Sequence, residues 1–371
     1  MTRKLIAVVG ATGNQGGSVA RRFLAAGYRV RALTRDVSSP AATALAAALG
    51  PDLELVTADL EDVASLEAAF RGANVLFSVT NYWEPFFRPD CRAEAQRRGV
   101  SCRRFAHDVE RRHGRNVADA AAATVGSLDD NGFLASTLSH AGRCSGGRFK
   151  ELYHFDAKAD VFPDYVNEKY PALAAKMSCI HTGFFYTSYN ILPNSYFGKN
   201  PDGTFTMAFT TSPEIPIPHF APASDMGNFT YAVSQMPPGK AYMAEGTTCT
   251  WPQFLETWAK VTNVKADYRQ VSHDEMVEAT GERDTGIEVA YMFSYSSDPG
   301  YDGGMHLLTA ADLRKVGFGF PQHMQGRFSP FKGLPIAPTE RNVHAQAGID
   351  CPMTTWEEWA TNNDWTSVLQ K

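Results

Sequence analysis

The sequence predicts an α/β protein: a doubly wound parallel sheet with a smaller, discontinuous α+β domain. Three observations predict this fold class. Short apolar runs alternate with amphipathic stretches through the first half of the chain, as in βα units that cover both faces of a parallel sheet. A glycine-rich turn, GATGNQGG, joins the first apolar run to the first amphipathic stretch. Beyond about residue 186, proline-rich and turn-rich segments replace the alternation.

The predicted elements of the first half follow one another in a regular order. Six segments have the composition of strands: KLIAVVG, YRVRALTRD, DLELVTADL, ANVLFSVT, GFLASTLS and MSCIHTGFF. Five segments between them are predicted helices: QGGSVARRFLAAG, SSPAATALAAALG, DVASLEAAFRG, NVADAAAATV and YHFDAKADVFPDYVNEKY. Later in the chain, ASDMGNFTYAVSQM predicts a helix and KAYMAEG a strand that returns to the main sheet.

Three helices of the second half are predicted from their N-terminal residues. A Ser or Thr followed three residues later by Gln or Glu forms a capping box, because each side chain accepts a hydrogen bond from the other residue's backbone N–H. This spacing occurs at Thr250 and Gln253, at Ser272 and Glu275, and at Thr355 and Glu358. We expect these helices to belong to the smaller domain.

The end of the strand–helix alternation near residue 186 predicts two discontinuous domains. Residues 1–185 plus about 221–246 are assigned to the parallel-sheet domain. Residues 186–220 plus 247–371 are assigned to a smaller domain that would contact a substrate or a partner. A chain of 371 residues with 44% hydrophobic side chains is long enough for two such cores.

Two stretches break the rhythm and are interpreted as insertions. Residues 86–112 are rich in arginine and are either an anion- or partner-binding lid or a solvated helical excursion. Residues 316–346 are irregular and rich in Gly and Pro, and TAADLRK joins smoothly to AGIDCPM without them. Val316 requires a GTN codon and Gln346 is compatible with CAG, which are the ends of a spliceable intron. The segment is therefore either a retained intron or a genuine surface loop.

Composition excludes several function classes. A formal net charge of -5 argues against an undirected nucleic-acid surface, so no direct nucleic-acid partner is predicted. Six cysteines occur without C-x-x-C or another metal-ligand spacing, and no metal site is predicted. No apolar run approaches the length of a membrane span, and no signal peptide is recognised. We expect a cytoplasmic protein without a membrane contact.

The glycine-rich turn is a candidate phosphate-binding site. Gly10 permits a tight turn, Gly13 lets the backbone approach a pyrophosphate, and Gly16 lets helix and strand pack closely. The N-terminus of the following helix supplies N–H donors and positive potential. The alternative is a βα turn without a ligand. The position of the glycine-rich turn after a strand and before a helix favours dinucleotide binding over this alternative.

The ends of the second and third predicted strands bear on which dinucleotide binds. Arg35 lies where NAD-binding chains place an acidic residue on the ribose, and a guanidinium there suits a 2′-phosphate. This favours NADP(H) over NAD(H), although Asp36 follows directly. Asp59 and Leu60 follow the third strand, where an adenine edge would lie.

Taken together, the motifs of the chain resemble one family. VVGATGNQGGSVA, VTNYWE, GRNVADAA, YHFDAKADV, TGFF and PDGTF occur in that order, and the chain is similar to NmrA-like proteins, which are atypical short-chain dehydrogenase/reductases. The resemblance extends to MFSYSSDPGY and MTTWEEW and leaves out only the two insertions. It implies a Rossmann domain, a smaller C-terminal domain, NAD(P) between them, and a fungal source.

The resemblance also implies which residues contact the cofactor. These positions match the family's cofactor contacts: Gly10, Thr12, Gly13, Asn14, Gln15, Gly16, Arg35, Asp59, Leu60, Thr80, Asn81, Lys158, Phe184 and Phe185. Thr187 departs from the asparagine that is frequent in the family at that position.

The candidate catalytic residues are His154, Lys158 and Thr137. Most short-chain dehydrogenases carry Tyr-x-x-x-Lys, whose i, i+4 spacing places both side chains on one helix face. Here His154 takes the tyrosine position before Lys158, as in many NmrA-like proteins, and Tyr153 is rotated about 100° away. An imidazole can donate a proton near neutral pH, and the lysine would hold the ribose. Thr137, like Ser136, ends the fifth strand, where the superfamily places an oxyanion-stabilising hydroxyl.

Two functions of different classes follow from these residues. The sequence favours an NAD(P)H-dependent oxidoreductase that reduces a carbonyl, imine or activated alkene of a small-molecule substrate in fungal secondary metabolism. The alternative is a non-catalytic NAD(P)-binding redox sensor whose partner is a transcription factor, in the cytoplasm or the nucleus. A third interpretation is an enzyme that has kept the fold for non-redox chemistry.

Overall fold

The computed structural model of the protein describes residues 3–315 and 348–370. Thirteen strands occur in these residues: β1 (Leu5–Val8), β2 (Arg29–Thr34), β3 (Leu53–Thr57), β4 (Val75–Ser78), β5 (Phe133–Thr137), β6 (Met177–Thr182), β7 (Phe184–Phe185), β8 (Gly198–Lys199), β9 (Phe205–Phe209), β10 (Ile217–Phe220), β11 (Ala241–Ala244), β12 (Thr247–Cys249) and β13 (Ala266–Gln270).

The helices of the same residues alternate with the strands in the first half and cluster in the second. They are α1 (Asn14–Ala25), α2 (Pro40–Leu49), α3 (Val63–Phe70), α4 (Trp83–Phe87), α5 (Pro89–Arg97), α6 (Cys102–Ala123), α7 (Ala141–Cys144), α8 (Tyr153–Ala159), α9 (Val166–Lys169), α10 (Pro171–Ala174), α11 (Pro193–Phe197), α12 (Pro222–Ser234), α13 (Trp251–Thr262), α14 (His273–Ala279), α15 (Arg283–Tyr295), α16 (Ala310–Lys315), α17 (Trp356–Asn362) and α18 (Thr366–Leu369). Within the described residues, none of these helices has the length and hydropathy to cross a membrane.

Seven parallel strands form the central sheet, in the order β11-β6-β5-β4-β1-β2-β3. The order reverses beside β1, since β2 and β3 lie on one side of it and β4 to β6 on the other. The residues of β1, β4, β5 and β6 are buried throughout, as expected for strands that are covered on both faces. The prediction of a doubly wound parallel sheet is confirmed.

Two three-stranded sheets lie outside the central one, with the orders β12-β10-β7 and β13-β9-β8. An aromatic core packs against them, and its members include Trp251 and Trp258 of α13 and Trp356 of α17, all fully buried. Phe209 of β9 stacks on Phe293 of α15 with ring centroids 3.9 Å apart. The core fixes α15, which contributes to the candidate site described below.

The three predicted capping boxes are confirmed. In each, the Ser or Thr hydroxyl accepts a hydrogen bond from the backbone N–H of the Gln or Glu, whose side chain accepts one in return. They begin α13, α14 and α17 at Thr250, Ser272 and Thr355. The signal could be recognised in the sequence because it spans four residues of continuous chain.

The second part of the arginine-rich stretch 86–112 belongs to a long helix. Ser101 accepts a hydrogen bond from the backbone N–H of Arg104 and thereby caps α6, a continuous helix of 22 residues. Residues 102–112 are therefore the first half of α6, and not a lid or a solvated excursion. The sequence predicted a helix only from residue 116 onward, because the first half of α6 is dense in charged residues. One face is nevertheless buried, and it carries Arg103, His107 and Glu110.

The irregular segment 316–346 lies outside the described residues. The two stretches that flank it are in contact with each other. The backbone N–H of Ile349 donates to the Leu313 carbonyl (3.4 Å), and Nη1 of Arg314 donates to the Cys351 carbonyl (2.6 Å). The described residues on the two sides of the segment are therefore neighbours in the fold.

Candidate functional site

The predicted site residues lie along one edge of the central sheet. Gly10 follows β1, Arg35 follows β2, Asp59 follows β3, Thr80 follows β4, and Thr137 ends β5. The carboxyl ends of parallel strands meet at the same edge. The order of the strands also reverses beside β1, and such a position is where open α/β sheets bind ligands.

The glycine turn, residues 10–16, has two positions that the protein's own packing requires to be glycine. Gly10 has a φ of +66°, and a Cβ there would approach Cγ1 of Val79 to 2.9 Å. A Cβ on Gly16 would collide with the backbone of Gly10. The turn is closed by the backbone N–H of Gly13, which donates to the Gly10 carbonyl (2.9 Å).

Gly13 differs from these two, and this difference tests whether the turn fits a dinucleotide. Its φ is −94°, and among the described residues a Cβ would meet only the Gly10 carbonyl oxygen at an ordinary 3.4 Å. The protein's packing therefore leaves room for a side chain there. No described side chain caps the N-terminus of α1, so its first N–H groups are available to an anion. The glycine turn fits a pyrophosphate.

Arg35 and Asp36 have different surroundings. The Arg35 side chain is 65% exposed and its Nη1 lies 3.2 Å from Oε1 of Glu84. The Asp36 carboxylate accepts hydrogen bonds from the backbone N–H (2.8 Å) and hydroxyl (2.6 Å) of Ser38, and the hydroxyl of Ser38 and its N–H hold the pKa of Asp36 below its usual range. Asp36 is thus engaged in its own loop, whereas Arg35 extends into solvent.

Three other predicted cofactor contacts already make hydrogen bonds within the protein. Oδ1 of Asp59 accepts from the backbone N–H of Glu61 (2.9 Å), and Oδ1 of Asn81 accepts from the backbone N–H of Trp83 (3.0 Å). The carbonyl of Leu60 accepts from the Asn116 amide (2.7 Å). Asp59 and Asn81 are exposed, so their remaining polar atoms are accessible.

His154 is held by a carboxylate from the second half of the chain. Its Nδ1 lies 2.7 Å from Oε1 of Glu288 on α15, and its backbone N–H donates to the same oxygen (2.8 Å). The imidazole is 6% exposed and packs against the rings of Tyr82 and Trp83. Its Nε2 makes no hydrogen bond to any described residue, so this nitrogen is available to a ligand.

Glu288 is fully buried and is paired with a cation as well. Nε of Arg103 donates to its second oxygen, Oε2, at 2.9 Å. Burial by itself would raise the pKa of Glu288, but the hydrogen bonds from His154 and the nearby charge of Arg103 outweigh it and lower that pKa. The carboxylate is therefore ionised and can only accept, which places the shared proton on Nδ1 of His154.

Lys158 is also bonded to a buried carboxylate. Its ammonium donates to Oε1 of Glu110 on α6 and, at 3.4 Å, to the Thr80 carbonyl. The Thr80 hydroxyl donates to the same Glu110 oxygen (2.8 Å). Oε2 of Glu110 has no hydrogen-bond partner among residues 3–315 and 348–370. The H-x-x-x-K motif (His154 and Lys158) thus has a buried glutamate beside each member.

The hydroxyls predicted at the end of β5 are committed elsewhere. Thr137 donates to the Phe162 carbonyl (2.8 Å), and Ser136 donates to Oε1 of Gln15 (2.8 Å). Tyr153 lies against His107 on another side of α8, with ring centroids 5.4 Å apart. In this arrangement the Thr137 proton is not directed at a ligand, and His154 is the member of the predicted catalytic set with a free nitrogen.

The two predicted phenylalanine contacts are adjacent residues of β7 and differ in burial. Phe184 is buried in the aromatic core, 4.5 Å from the ring of Tyr301, whereas Phe185 is half-buried. A cavity of about 270 Å³ lies between the residues that follow β7, the start of α1, the start of α12 and helix α17. Asn14 and Thr187 are among its lining residues, so Thr187 lies beside the glycine turn.

A second group of titratable side chains lies at the C-terminal end of α8. His140 contacts two carboxylates: its Nδ1 is 3.1 Å from Asp156 and its Nε2 is 3.3 Å from Asp160. Burial lowers the pKa of His140, but these two carboxylates outweigh it and raise that pKa to about 9. His107 and Arg111 of α6 also face Asp160. No described group of His, Cys, Asp or Glu is arranged to hold a metal ion.

Sequence reasoning missed the residues that surround the H-x-x-x-K motif. Glu288 had one available signal: it is the only charged residue in the otherwise uncharged stretch 285–295. Arg103 and Glu110 could have been recognised by their spacing of seven residues on one helix face, had the start of α6 been known. Their partners lie 48 to 185 residues away, which no local pattern reveals.

Comparison with known proteins agrees with this architecture. The model of the NmrA-like family matches residues 2–319. The chain belongs to the NmrA-like family. It is 27% identical over 290 residues to the NmrA-like family domain-containing oxidoreductase cpsB of Aspergillus campestris, covering 74% of this chain and 77% of that one. It is 47% identical to the oxidoreductase hkm9 of Aspergillus hancockii over 89 residues, only 26% of that protein.

Solved structures show the same NmrA-like fold. NmrA, a negative transcriptional regulator solved in complex with NADP, aligns with a TM-score of 0.62 at 20% identity, over 98% of this chain and 95% of that one. A complex of NmrA with NAD aligns with a TM-score of 0.60. The NADPH-dependent quinone oxidoreductase QOR2 of Escherichia coli, complexed with NADPH, aligns with a TM-score of 0.53 at 19% identity.

Proposed function

We propose that this NmrA-like protein is an NAD(P)H-dependent reductase of a small organic molecule that carries a carbonyl, an imine or an activated alkene. The observation that carries the proposal is His154, whose Nδ1 is fixed by Glu288 while Nε2 has no hydrogen-bond partner in the part of the chain that the structure describes. A histidine that only packs beside a ligand does not need a buried carboxylate. The names of the curated relatives as oxidoreductases support the same conclusion.

The glycine turn and Lys158 would hold the cofactor. Backbone N–H groups at the start of α1 suit the pyrophosphate, and Lys158 lies at the carboxyl end of β4, where it suits a ribose hydroxyl. Bound NAD(P)H would supply a hydride to the electrophilic carbon of the substrate. His154, carrying a proton on both nitrogens as an imidazolium beside Glu288, would then donate its Nε2 proton to the oxygen, nitrogen or carbon atom that receives the electron pair, and the neutral ring that remains would keep its proton on Nδ1. Solvent would restore the proton to His154.

The surroundings of His154 favour an apolar substrate. Trp83 packs on the imidazole with ring centroids 5.2 Å apart, and Phe87 stacks on Trp83 although its own side chain is 48% exposed. An exposed phenylalanine beside a half-buried tryptophan forms an aromatic surface next to the proton donor. Such a surface keeps water from the imidazole and suits a planar ring.

NADP(H) is the cofactor we propose. Arg35 is exposed at the end of β2, and Asp36, the residue that would favour NAD(H), is engaged by Ser38. The guanidinium would exchange Glu84 for a 2′-phosphate, which is a better bidentate partner. Titration should show tighter binding of NADPH than of NADH, and Arg35→Ala should weaken NADPH about tenfold while leaving NADH unchanged. Equal loss for both cofactors would contradict this assignment.

The function is tested by cofactor titration followed by NADPH consumption against a panel of ketones, enones and imines. Turnover of at least one compound, abolished by His154→Ala with NADPH binding retained, is the expected result. Tight NADPH binding without turnover of any compound, together with unchanged NADPH binding in His154→Ala, would contradict the proposed reductase. It would favour the non-catalytic redox sensor instead. Capture of a transcription factor that depends on the oxidised or reduced cofactor would then identify the partner.

A further inference from the structure

Three segments distant in sequence meet in a buried charge network behind His154. Arg103 comes from α6, His154 from α8 and Glu288 from α15, and Arg103 and Glu288 are 185 residues apart. All three side chains are at most 7% exposed. Burying two charges is costly unless both are paired and hydrogen-bonded, so the network requires an explanation beyond packing.

The cation of this network is itself enclosed. The Arg103 guanidinium lies over the rings of Tyr153 (5.1 Å) and Tyr291 (5.6 Å), and its Nη2 donates to the Glu151 carbonyl. Its Nε donates to Glu288. The guanidinium is thus fixed in orientation by an aromatic ring on each of two elements and by two acceptors. Together with the hydrogen bonds from His154, its charge keeps the buried Glu288 ionised.

A carboxylate is the one side chain of this size that satisfies the donors around position 288. Oε1 of Glu288 accepts from the backbone N–H and from Nδ1 of His154, and Oε2 accepts from Arg103. A glutamine has one oxygen and one NH2 group, so it would place a donor against either His154 or Arg103. Position 288 therefore requires a negatively charged carboxylate, and a neutral polar side chain of the same volume does not satisfy the three donors.

We propose that Glu288 and Arg103 are positioning residues that fix the tautomer and orientation of His154, so that Nε2 is the atom that exchanges a proton with the substrate. The inference rests on the proposed function, in which His154 is the proton donor. Glu288 holds the proton on Nδ1, and Arg103 holds Glu288. Neither residue touches the substrate. A buried acid thus orients a histidine, as in catalytic triads. Here the histidine comes from the first half of the chain and the acid from the second.

The first test measures the tautomer and needs no substrate. Protein labelled with 15N-histidine is compared by NMR as wild type and as Glu288→Gln, and the signals of His154 are identified by their loss in His154→Gln. The wild type should show a protonated Nδ1 and, in the neutral form, an unprotonated Nε2. Glu288→Gln should lose this preference. Glu278→Gln, the same substitution at an exposed position of α14, should retain it. An unchanged tautomer in Glu288→Gln overturns the proposal.

The second test separates positioning from cofactor binding. Glu288→Gln should lower kcat for NADPH oxidation about 100-fold, because a misoriented or wrongly protonated imidazole cannot deliver its proton. The Kd for NADPH should stay within about twofold, since Glu288 does not contact the glycine turn. Glu288→Asp keeps the charge and should regain part of kcat and the Nδ1 tautomer. A kcat equal to that of wild type in folded Glu288→Gln overturns the proposal.

A further variant covers the case in which Glu288→Gln does not fold. Arg103→Met combined with Glu288→Met replaces both charged side chains by apolar ones of similar length, a change that buried ion pairs often tolerate. This variant should fold but lose the Nδ1 preference and the same factor in kcat. Wild-type tautomer and kcat in the double variant overturn the proposal. Wild-type turnover in His154→Gln would instead overturn the proposed function, while the tautomer measurement would still decide the role of Glu288.

Discussion

The glycine turn and the H-x-x-x-K motif lie at the same edge of the sheet, but they are built in different ways. The glycine turn contains no charged side chain and is closed by a bond between Gly13 and Gly10. Both members of the H-x-x-x-K motif are charged or titratable, and each is bonded to a buried glutamate 48 or 134 residues away. One region offers backbone donors, and the other offers paired side chains.

This difference teaches how each region can be altered. Backbone N–H groups at a helix N-terminus need no partner charge, so the affinity of the glycine turn for an anion depends on open space. Side-chain charges in a dry site must be neutralised even without a ligand, because an unpaired buried charge destabilises the fold. We therefore expect substitutions in the glycine turn to change binding, and substitutions behind the H-x-x-x-K motif to change stability and kcat.

The largest expected effect comes from removing the cation behind His154. Arg103→Met removes the guanidinium that pairs with buried Oε2 of Glu288 and should lower the free energy of unfolding by about 3–5 kcal/mol. Urea denaturation monitored by circular dichroism measures this. Arg104→Met is the control, since the neighbouring arginine is half-exposed and pairs with exposed Asp108, and it should cost less than about 1 kcal/mol. Equal stabilities of the two variants would show that the charge network behind His154 is not structural.

The second prediction concerns the glycine turn. Gly13→Val should weaken NADPH binding about 100-fold, equivalent to about 2.7 kcal/mol, because its side chain would occupy the space proposed for the pyrophosphate. The free energy of unfolding of the cofactor-free protein should fall by no more than about 1 kcal/mol, the cost of a poor N-cap residue on α1, since among the described residues a Cβ at Gly13 meets only one atom, at 3.4 Å. Gly16→Ala is the matched comparison and should destabilise the cofactor-free protein instead. Unchanged NADPH affinity in Gly13→Val would contradict the assignment of the turn.

The third prediction extends the comparison to the C-terminal end of α8. The pKa of His140 is raised to about 9 in the fold, above its unfolded value of about 6.5, so its ion pairs with Asp156 and Asp160 contribute fully below pH 6.5. Their contribution is lost as pH rises through 9. The free energy of unfolding should fall by about 1–2 kcal/mol across this range after allowance for solvent screening.

His140→Asn should remove this pH dependence, and His306→Asn, at an exposed position, should keep it. Denaturation titrations at pH 6, 7.5 and 9.5 measure the difference. Parallel curves for wild type and His140→Asn would show that the ion pairs of His140 do not contribute.

The smallest effect is expected outside both regions. Removal of residues 316–346 should leave NADPH binding unchanged and should not lower the free energy of unfolding, because Leu313 and Arg314, before the segment, already contact Ile349 and Cys351, after it. A loss of more than about 2 kcal/mol would contradict this. Sequencing of the transcript decides the origin of the segment: a spliced message without these codons supports a retained intron, and their presence in the mature message and protein establishes a genuine loop.

The sequence predicted the features whose contacts are local. Each of these features depends on residues close together in the sequence: the alternation of strands and helices, the glycine turn, and the capping boxes at Thr250, Ser272 and Thr355. The H-x-x-x-K motif was also found, since its spacing is four residues.

The charge partners of that motif could not be predicted in the same way. Arg103 is one of eight arginines in the stretch 86–112, and which of them is buried depends on the start of α6 and on the approach of α15. The sequence also predicted that the Thr137 hydroxyl faces a ligand. In the structure the chain is kinked after α8, and the Phe162 carbonyl there accepts the hydrogen bond of the Thr137 hydroxyl. These outcomes are set by tertiary packing.

The rate of NADPH oxidation in wild type and His154→Gln tests the central claim most directly. It is measured at saturating NADPH, on a ketone, enone or imine that the wild type reduces, with Glu278→Gln as the control for the handling of a variant. The account predicts a loss of about 100-fold or more in kcat for His154→Gln, with NADPH affinity unchanged. Equal rates in wild type and His154→Gln would contradict it.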